Sequence, residues 1–356
     1  MEIVKSVDVR GFRGIRGFRE PLELGRFNVL ISRNCSGKTV VLQALYLVAM
    51  PFYGFSIPPY DMSASDYIEK LVGGRDHLIY GYSGTATIDY RLGVGGELKN
   101  VPYGYSPHTF DVGRIDNLQV SISPNGVEVK TKISSKEVEI SLTGDNYVQL
   151  IKSLNPRSPT LAIYIPNDSN TYELLHSYVC KNIDGVVSDE LHTKVFKYLT
   201  GVIYDRFTEV IPRRNELYVR KEVRGTTSSY VRLKDIGEGV KRFTLTYLTV
   251  EHLKPPLILW DDVEVSLHPN LLETILKWLA DSGRQVVIAT HSIDVLKTVI
   301  RIEPKDARVI LLRKDNSDVV HHKTLELNIV KEILNKGLDL RVLIDTVIPF
   351  ELVVPQ

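Results

Sequence analysis

Ser32-Arg33-Asn34-Cys35-Ser36-Gly37-Lys38-Thr39 stands between two apolar runs. Before it, Phe27-Asn28-Val29-Leu30-Ile31 reads as a buried strand. After it, Val40 through Met50 reads as a helix. A strand, a polar turn, Gly-Lys-Thr and a helix together frame a phosphate, because the amides of the turn and of the helix N-terminus can surround an anion. In this frame residues Ser32, Arg33, Asn34, Cys35, Ser36, Gly37, Lys38, Thr39 and Val40 are the expected nucleotide-binding set. Lys38 places a positive charge on the β- and γ-phosphates, and the Thr39 hydroxyl is placed for Mg²⁺. Ser32 and Cys35 occupy positions where such turns often carry Gly, so each must avoid or tolerate positive φ.

Two more apolar runs end in reactive side chains. Pro256-Leu257-Ile258-Leu259-Trp260 leads into Asp261-Asp262. A run of that kind is a buried parallel strand with carboxylates at its C-terminal edge, where open α/β sheets bind ligands. Asp261 is therefore expected to hold Mg²⁺, and Asp262 to orient or deprotonate an attacking water. Gln285-Val286-Val287-Ile288-Ala289-Thr290 delivers His291 to the same edge, near a γ-phosphate. Taken singly, an Asp-Asp pair is usually a turn and one His is usually a satisfied surface or core residue. Three strand ends in the same order carry the argument.

With these residues in view, the chain resembles ABC-type, AAA-like P-loop ATPases. The three strand ends look like their Walker A, Walker B and switch-histidine elements. Asp261-Asp262-Val263-Glu264-Val265-Ser266-Leu267-His268-Pro269 resembles the D-E-P-E-x-x-L-H-P segment of the overcoming-lysogenisation-defect (OLD) and RecF/SMC-like branch. Val9-Arg10-Gly11-Phe12-Arg13-Gly14-Ile15 resembles the N-terminal hairpin of those proteins, which implies that Arg13 contacts nucleotide. Ile236-Gly237-Glu238-Gly239-Val240-Lys241-Arg242 resembles their short signature motif, which implies that Gly237 and Gly239 meet the nucleotide held by a second copy. The resemblance covers roughly residues 1–50 and 231–300. It implies ATP and Mg²⁺ as cofactors, a homodimer formed on ATP binding, and DNA or an effector protein as partner. Asp262 stands where that branch usually has Glu, which predicts slow hydrolysis.

The expected fold is an α/β P-loop core with a mixed sheet, built from residues 1–50 and 231–356. An inserted lobe over 51–230 is expected to be β-rich at about 76–145 and helical at about 172–208. Ser123-Pro124-Asn125-Gly126 marks a hairpin turn, and Leu161–Pro166 another buried strand. No sustained heptad run appears in the insertion, so a compact lid is expected rather than a coiled-coil arm. After His291, residues 307–313 read as a strand and Leu325–Lys336 as a short helix.

Composition narrows the alternatives. With 44 basic and 43 acidic residues, no global positive field advertises nucleic acid. The locally basic stretch Ile211–Arg224 and the N-terminal Arg10, Arg13, Arg16 and Arg19 read first as charged hairpin faces interleaved with acids. Two cysteines suit a reducing cytosol, and neither has the companions of a zinc site. No signal-peptide core or membrane-length apolar stretch is seen, so a cytoplasmic protein is expected. The tail lacks the acidic pattern of a Toprim nuclease, so nuclease activity is not expected. A nucleotide-gated binding module without turnover is the alternative function. A transporter subunit fits less well, because the phosphate turn and the signature lie about 200 residues apart.

Overall fold

The computed structural model describes residues 2–52, 58–100, 111–133, 136–142, 148–150, 160–223 and 228–348. The chain opens with β1 (Val4–Phe12), a tight turn at Arg13-Gly14, β2 (Ile15–Phe18) and β3 (Leu22–Glu23). Next comes β4 (Phe27–Ser32), buried at every position, as a central parallel strand must be. It leads through the Arg33–Gly37 turn into α1 (Lys38–Tyr46), a 3₁₀ turn and α2 (Ala64–Val72). A run of strands follows: β5 (Ala86–Asn100), β6 (Asp111–Ser123), β7 (Gly126–Ile133), β8 (Lys136–Leu142) and β9 (Val148–Leu150). Ser123 pairs with Gly126 across the expected hairpin turn.

The chain then makes the short buried strand β10 (Ala162–Ile165) and three helices, α3 (Ser169–Lys181), α4 (Ile183–Ser188) and α5 (Leu191–Leu199). Strands β11 (Phe207–Arg213), β12 (Glu216–Lys221) and β13 (Ser229–Arg232) form a separate antiparallel sheet. The last part alternates: α6 (Glu238–Leu253), β14 (Leu257–Trp260), α7 (Pro269–Asp281), β15 (Gln285–Thr290), α8 (Ile293–Ile302) and β16 (Ala307–Lys314). It closes with β17 (Val319–Glu326), α9 (Leu327–Asn335) and α10 (Leu340–Val347).

One sheet runs through most of the molecule, in the order β10-β14-β15-β4-β16-β17-β2-β1-β5-β6-β7-β8, with β3 on β1 and β9 on β5. From β10 to β16 every pairing is parallel. Beyond β16 the sheet is mixed: β17 runs antiparallel to β16 and parallel to β2. This is the mixed α/β architecture expected from the alternating pattern. The pairings cross the expected boundaries of the 51–230 insertion. β5 pairs with β1, and β10 pairs with β14, so strands of that segment extend the core sheet at both ends. In the tail the expected strand and short helix are present as β16 and α9, and between them the chain adds β17 against β16. Strand β17 carries His321-His322-Lys323 at its centre, which hides the apolar alternation by which strands are recognised.

Buried amides fasten β4 and β15 in place. Gln285, with no exposed surface, accepts from the amides of Ile3 and Val4 and donates to the carbonyls of Val4 and Gly25. Asn28 donates to the carbonyls of Gly25 and Val286 and accepts from the Gly25 amide. Fully satisfied amides cost little to bury and fix register where apolar contacts alone would tolerate a slip.

Candidate nucleotide site

Sheet order brings the three strand ends together. β15 lies directly beside β4, with Thr290 level with Ile31, and β14 lies beside β15, with Trp260 level with Ile288. The residues just past Ser32, Trp260 and Thr290 therefore share one edge.

The turn after β4 takes positive φ twice, at Cys35 (60°) and at Gly37 (100°). Cys35 adopts the left-handed region at a cost of order 1 kcal/mol that Gly would not incur. Ser32 avoids that region, since it is still part of the extended strand. Its hydroxyl donates to the Arg33 carbonyl at 2.7 Å and accepts from Lys38 Nζ at 2.9 Å. Gly37 caps α1 in the left-handed conformation with no side-chain bond to the first amides, so those donors stay open to an anion. Arg33 pairs with Asp345 on α10 at 2.6 Å, the Ser36 hydroxyl approaches the Asn34 carbonyl at 3.5 Å, and Val40 packs against the core.

Lys38 Nζ also donates to His291 Nε2 at 2.8 Å. Burial lowers the Lys38 pKa, against the pull of the Asp261, Asp262 and Glu264 carboxylates. Burial, and then the Lys38 charge, lower that of His291, so the ring is a neutral acceptor. Thr39 Oγ1 donates to Asp261 Oδ2 at 2.7 Å. Asp261 is 5% exposed, and its amide donates to the Ile165 carbonyl on β10 at 2.9 Å. Burial, with Asp262 adding to it, pushes its carboxyl up to about 6, although the Thr39 bond and Lys38 oppose the rise. A hydroxyl and a buried carboxylate are the hard oxygen donors that Mg²⁺ takes, with phosphate and water completing the shell. The pair fits that ion, and the raised pKa reports a carboxylate short of positive charge.

Asp262 sits in the left-handed region (φ 46°), partly exposed, and accepts from Asn167 Nδ2 at 3.4 Å. Arg13, also left-handed (φ 53°), donates its amide to Leu78 and its guanidinium to Gln43, one turn beyond Thr39 on α1. Burial lowers its pKa, while Tyr164 and Asp261 pull the other way, which puts Arg13 within electrostatic reach of the Asp261 carboxylate.

Gly237 caps the N-terminus of α6 and Gly239 lies in its first turn, and the helix packs against α3 and α5. Gly237 is exposed, with open space where a Cβ would stand. Gly239 is buried, and a Cβ there would lie 2.3 Å from the Ser266 carbonyl oxygen in the loop after β14. This glycine answers a packing demand within its own chain.

Several neighbours were not singled out by sequence. Arg242 on α6 is buried over the Tyr172 ring, and donates to the Val265 carbonyl at 3.2 Å and to Asn167 Oδ1 at 3.3 Å. Glu264 Oε1 accepts from the His291 amide at 2.9 Å. Arg341 donates to the His291 carbonyl at 2.9 Å while held by Asp339. Asn167, just past the apolar run 161–166, had the same strand-end signal as Asp261 and His291. The basic hairpin of β11 and β12 has many of its charges matched locally. Arg220 pairs with Glu209 and Lys221 with Asp205, and Arg213 lies 4.1 Å from the Tyr230 ring centre. Cys35 and Cys180 are free thiols. Among the described residues no helix is long and apolar enough to cross a membrane.

The family model described as "AAA domain, putative AbiEii toxin, Type IV TA system" matches residues 195–297, under a third of the chain, including Gly237, Asp261, Asp262 and His291. A search of curated proteins returns no match. Among solved structures, the SmcHead bound to the C-winged helix domain of ScpA is similar at 11% identity and a TM-score of 0.56, over 92% of this chain and 99% of that one. The Smc head domain with an extended coiled coil from Pyrococcus furiosus, bound to the C-terminal domain of ScpA, is similar at 12% identity and 0.55, over 95% and 100%. The Smc head domain with a coiled coil and joint from Pyrococcus yayanosii is similar at 9% identity and 0.52, over 95% and 100%. At such identities the likeness is one of fold, a mixed α/β fold that resembles that of Smc head domains.

Proposed function

We propose that this chain is a slow, Mg²⁺-dependent ATPase of the OLD/RecF-like type that pairs with a second copy when ATP is bound. The observation that carries the reading is the joining of three strand ends by Lys38 to His291 at 2.8 Å and Thr39 to Asp261 at 2.7 Å, beneath a helix N-terminus with open amides. Lys38 and those amides neutralise the phosphate oxygens. Thr39 and Asp261 would hold Mg²⁺, which supplies further neutralisation of phosphate charge when bound. On phosphate binding, Lys38 exchanges Ser32 and His291 for the nucleotide, freeing the imidazole to meet the γ-phosphate. Asp262 and His291 close the γ-phosphate end, and Arg13 supports the metal side through Gln43 and the field at Asp261.

Dimerisation in this reading uses the α6 N-terminus, where exposed Gly237 leaves room for a phosphate held by a second copy. DNA or an effector protein is the partner the cycle would act on. Titration of Mg·ATP by calorimetry into wild type and Lys38→Ala tests the assignment. Lys38→Ala loses a charge-assisted contact worth about 2 kcal/mol or more, so affinity falls at least about 30-fold. Equal affinities refute the site.

A further inference from the structure

We infer that Glu264, three residues past Asp261, accepts the proton of the attacking water in preference to the shorter Asp262. The inference rests on the ATPase reading above. After β14 the chain folds back on itself: the Val265 amide bonds the Asp262 carbonyl and the Leu267 amide bonds the Glu264 carbonyl, with Asp262 and Ser266 both at positive φ. This brings the Glu264 carboxylate against the end of β15, where Oε1 accepts from the His291 amide at 2.9 Å. The other oxygen, Oε2, is buried and has no hydrogen-bond partner. A buried carboxylate oxygen without a donor is expensive and persists where a donor arrives in another state.

The surroundings identify that donor. Lys38 and His291 both feel the Asp262 charge and, next to it, the Glu264 charge, so both carboxylates lie at the γ-phosphate end of the site. Asp262 is one methylene shorter than the Glu usual at its position, partly exposed, and engaged with Asn167. Glu264 thus has a second oxygen without a partner, and its first oxygen fixes it relative to the histidine that holds Lys38. In the step, the water oxygen bonds to the γ-phosphorus, and the bond from that phosphorus to the β,γ-bridging oxygen breaks, its electron pair leaving with ADP. The water proton passes to Glu264 Oε2, which returns it to solvent on product release.

Glu264→Gln separates this role from anchoring. Glutamine keeps the size and an acceptor oxygen for the His291 amide, but it cannot take a proton. Turnover at saturating Mg·ATP, nucleotide affinity and the urea midpoint are measured on wild type, Glu264→Gln, Glu264→Asp and Asp262→Asn. Glu264→Gln is expected to lose at least about 100-fold in kcat, with affinity within about threefold and the midpoint unchanged. Glu264→Asp keeps a carboxylate and is expected to lose at least about tenfold. Asp262→Asn is expected to lose less than about tenfold. A Glu264→Gln variant that turns over within about threefold of wild type overturns the inference. So does a Glu264→Asp variant at wild-type rate, which also decides the matter should the Gln variant fail to fold. A wild type that binds Mg·ATP without hydrolysing it overturns the inference and leaves the nucleotide site standing. A wild type that does not bind removes both.

Discussion

Asp261→Asn should make the nucleotide-free, metal-free protein more stable at alkaline pH. Burial raises the folded-state pKa of this carboxyl from 3.8 to about 6. A raised acid contributes its full stability below the unfolded value and loses it as pH climbs through the folded value. Above pH 7 the ionised group therefore costs about 3 kcal/mol, from a shift of about 2 units at 1.36 kcal/mol each. At pH 5 the linkage is only partly expressed, and the cost is about half as large. Asparagine keeps an acceptor for Thr39 and carries no charge. Urea denaturation in EDTA at pH 5 and pH 8 reads the difference. The variant should gain up to about 3 kcal/mol over wild type at pH 8, and about 1–2 kcal/mol less than that at pH 5. With Mg·ATP the order should reverse, because the neutral side chain no longer attracts the metal. A variant that is less stable than wild type by the same amount at both pH values refutes the claim that Asp261 is a desolvated carboxylate awaiting a cation.

Gly239→Ala forces a Cβ to within 2.3 Å of a backbone oxygen and should cost about 1–3 kcal/mol in urea denaturation, whereas Gly237→Ala should cost less than about 1 kcal/mol. Because Gly239 is tied to Ser266, the interface is better probed at Gly237: Gly237→Arg should keep its melting temperature yet stay monomeric in light scattering with Mg²⁺ and a non-hydrolysable ATP analogue. A dimer unaffected by that arginine would move the interface elsewhere. Gln285→Ala removes four buried hydrogen bonds that join β15 to the N-terminal strand and the Gly25 turn, and should cost about 3–5 kcal/mol. A loss under about 1 kcal/mol would show that apolar pairing alone holds that register.

The strand ends were legible because their signal is local. A strand buried on both faces must be a continuous apolar run, and the first polar residue after it must lie at the sheet edge, whichever strands flank it. Phe27–Ser32, Leu257–Trp260 and Gln285–Thr290 obey that rule, so Lys38, Asp261 and His291 could be assigned to one edge in advance. The Gly-Lys-Thr turn was equally plain, although which of Ser32 and Cys35 would avoid positive φ and which would tolerate it was left to the structure. Pairing partners carried no such local mark. That β5 joins β1 and β10 joins β14 is settled by contacts between distant segments, and residues 51–230 therefore looked like a separate insertion. Backbone direction past a strand end was likewise invisible. Two positive-φ residues turn Glu264 back onto His291, and Gly239 must be bare because Ser266 is packed against it. Local burial and turn chemistry write themselves into residue type, whereas the mutual approach of loops is fixed only when the whole sheet has closed.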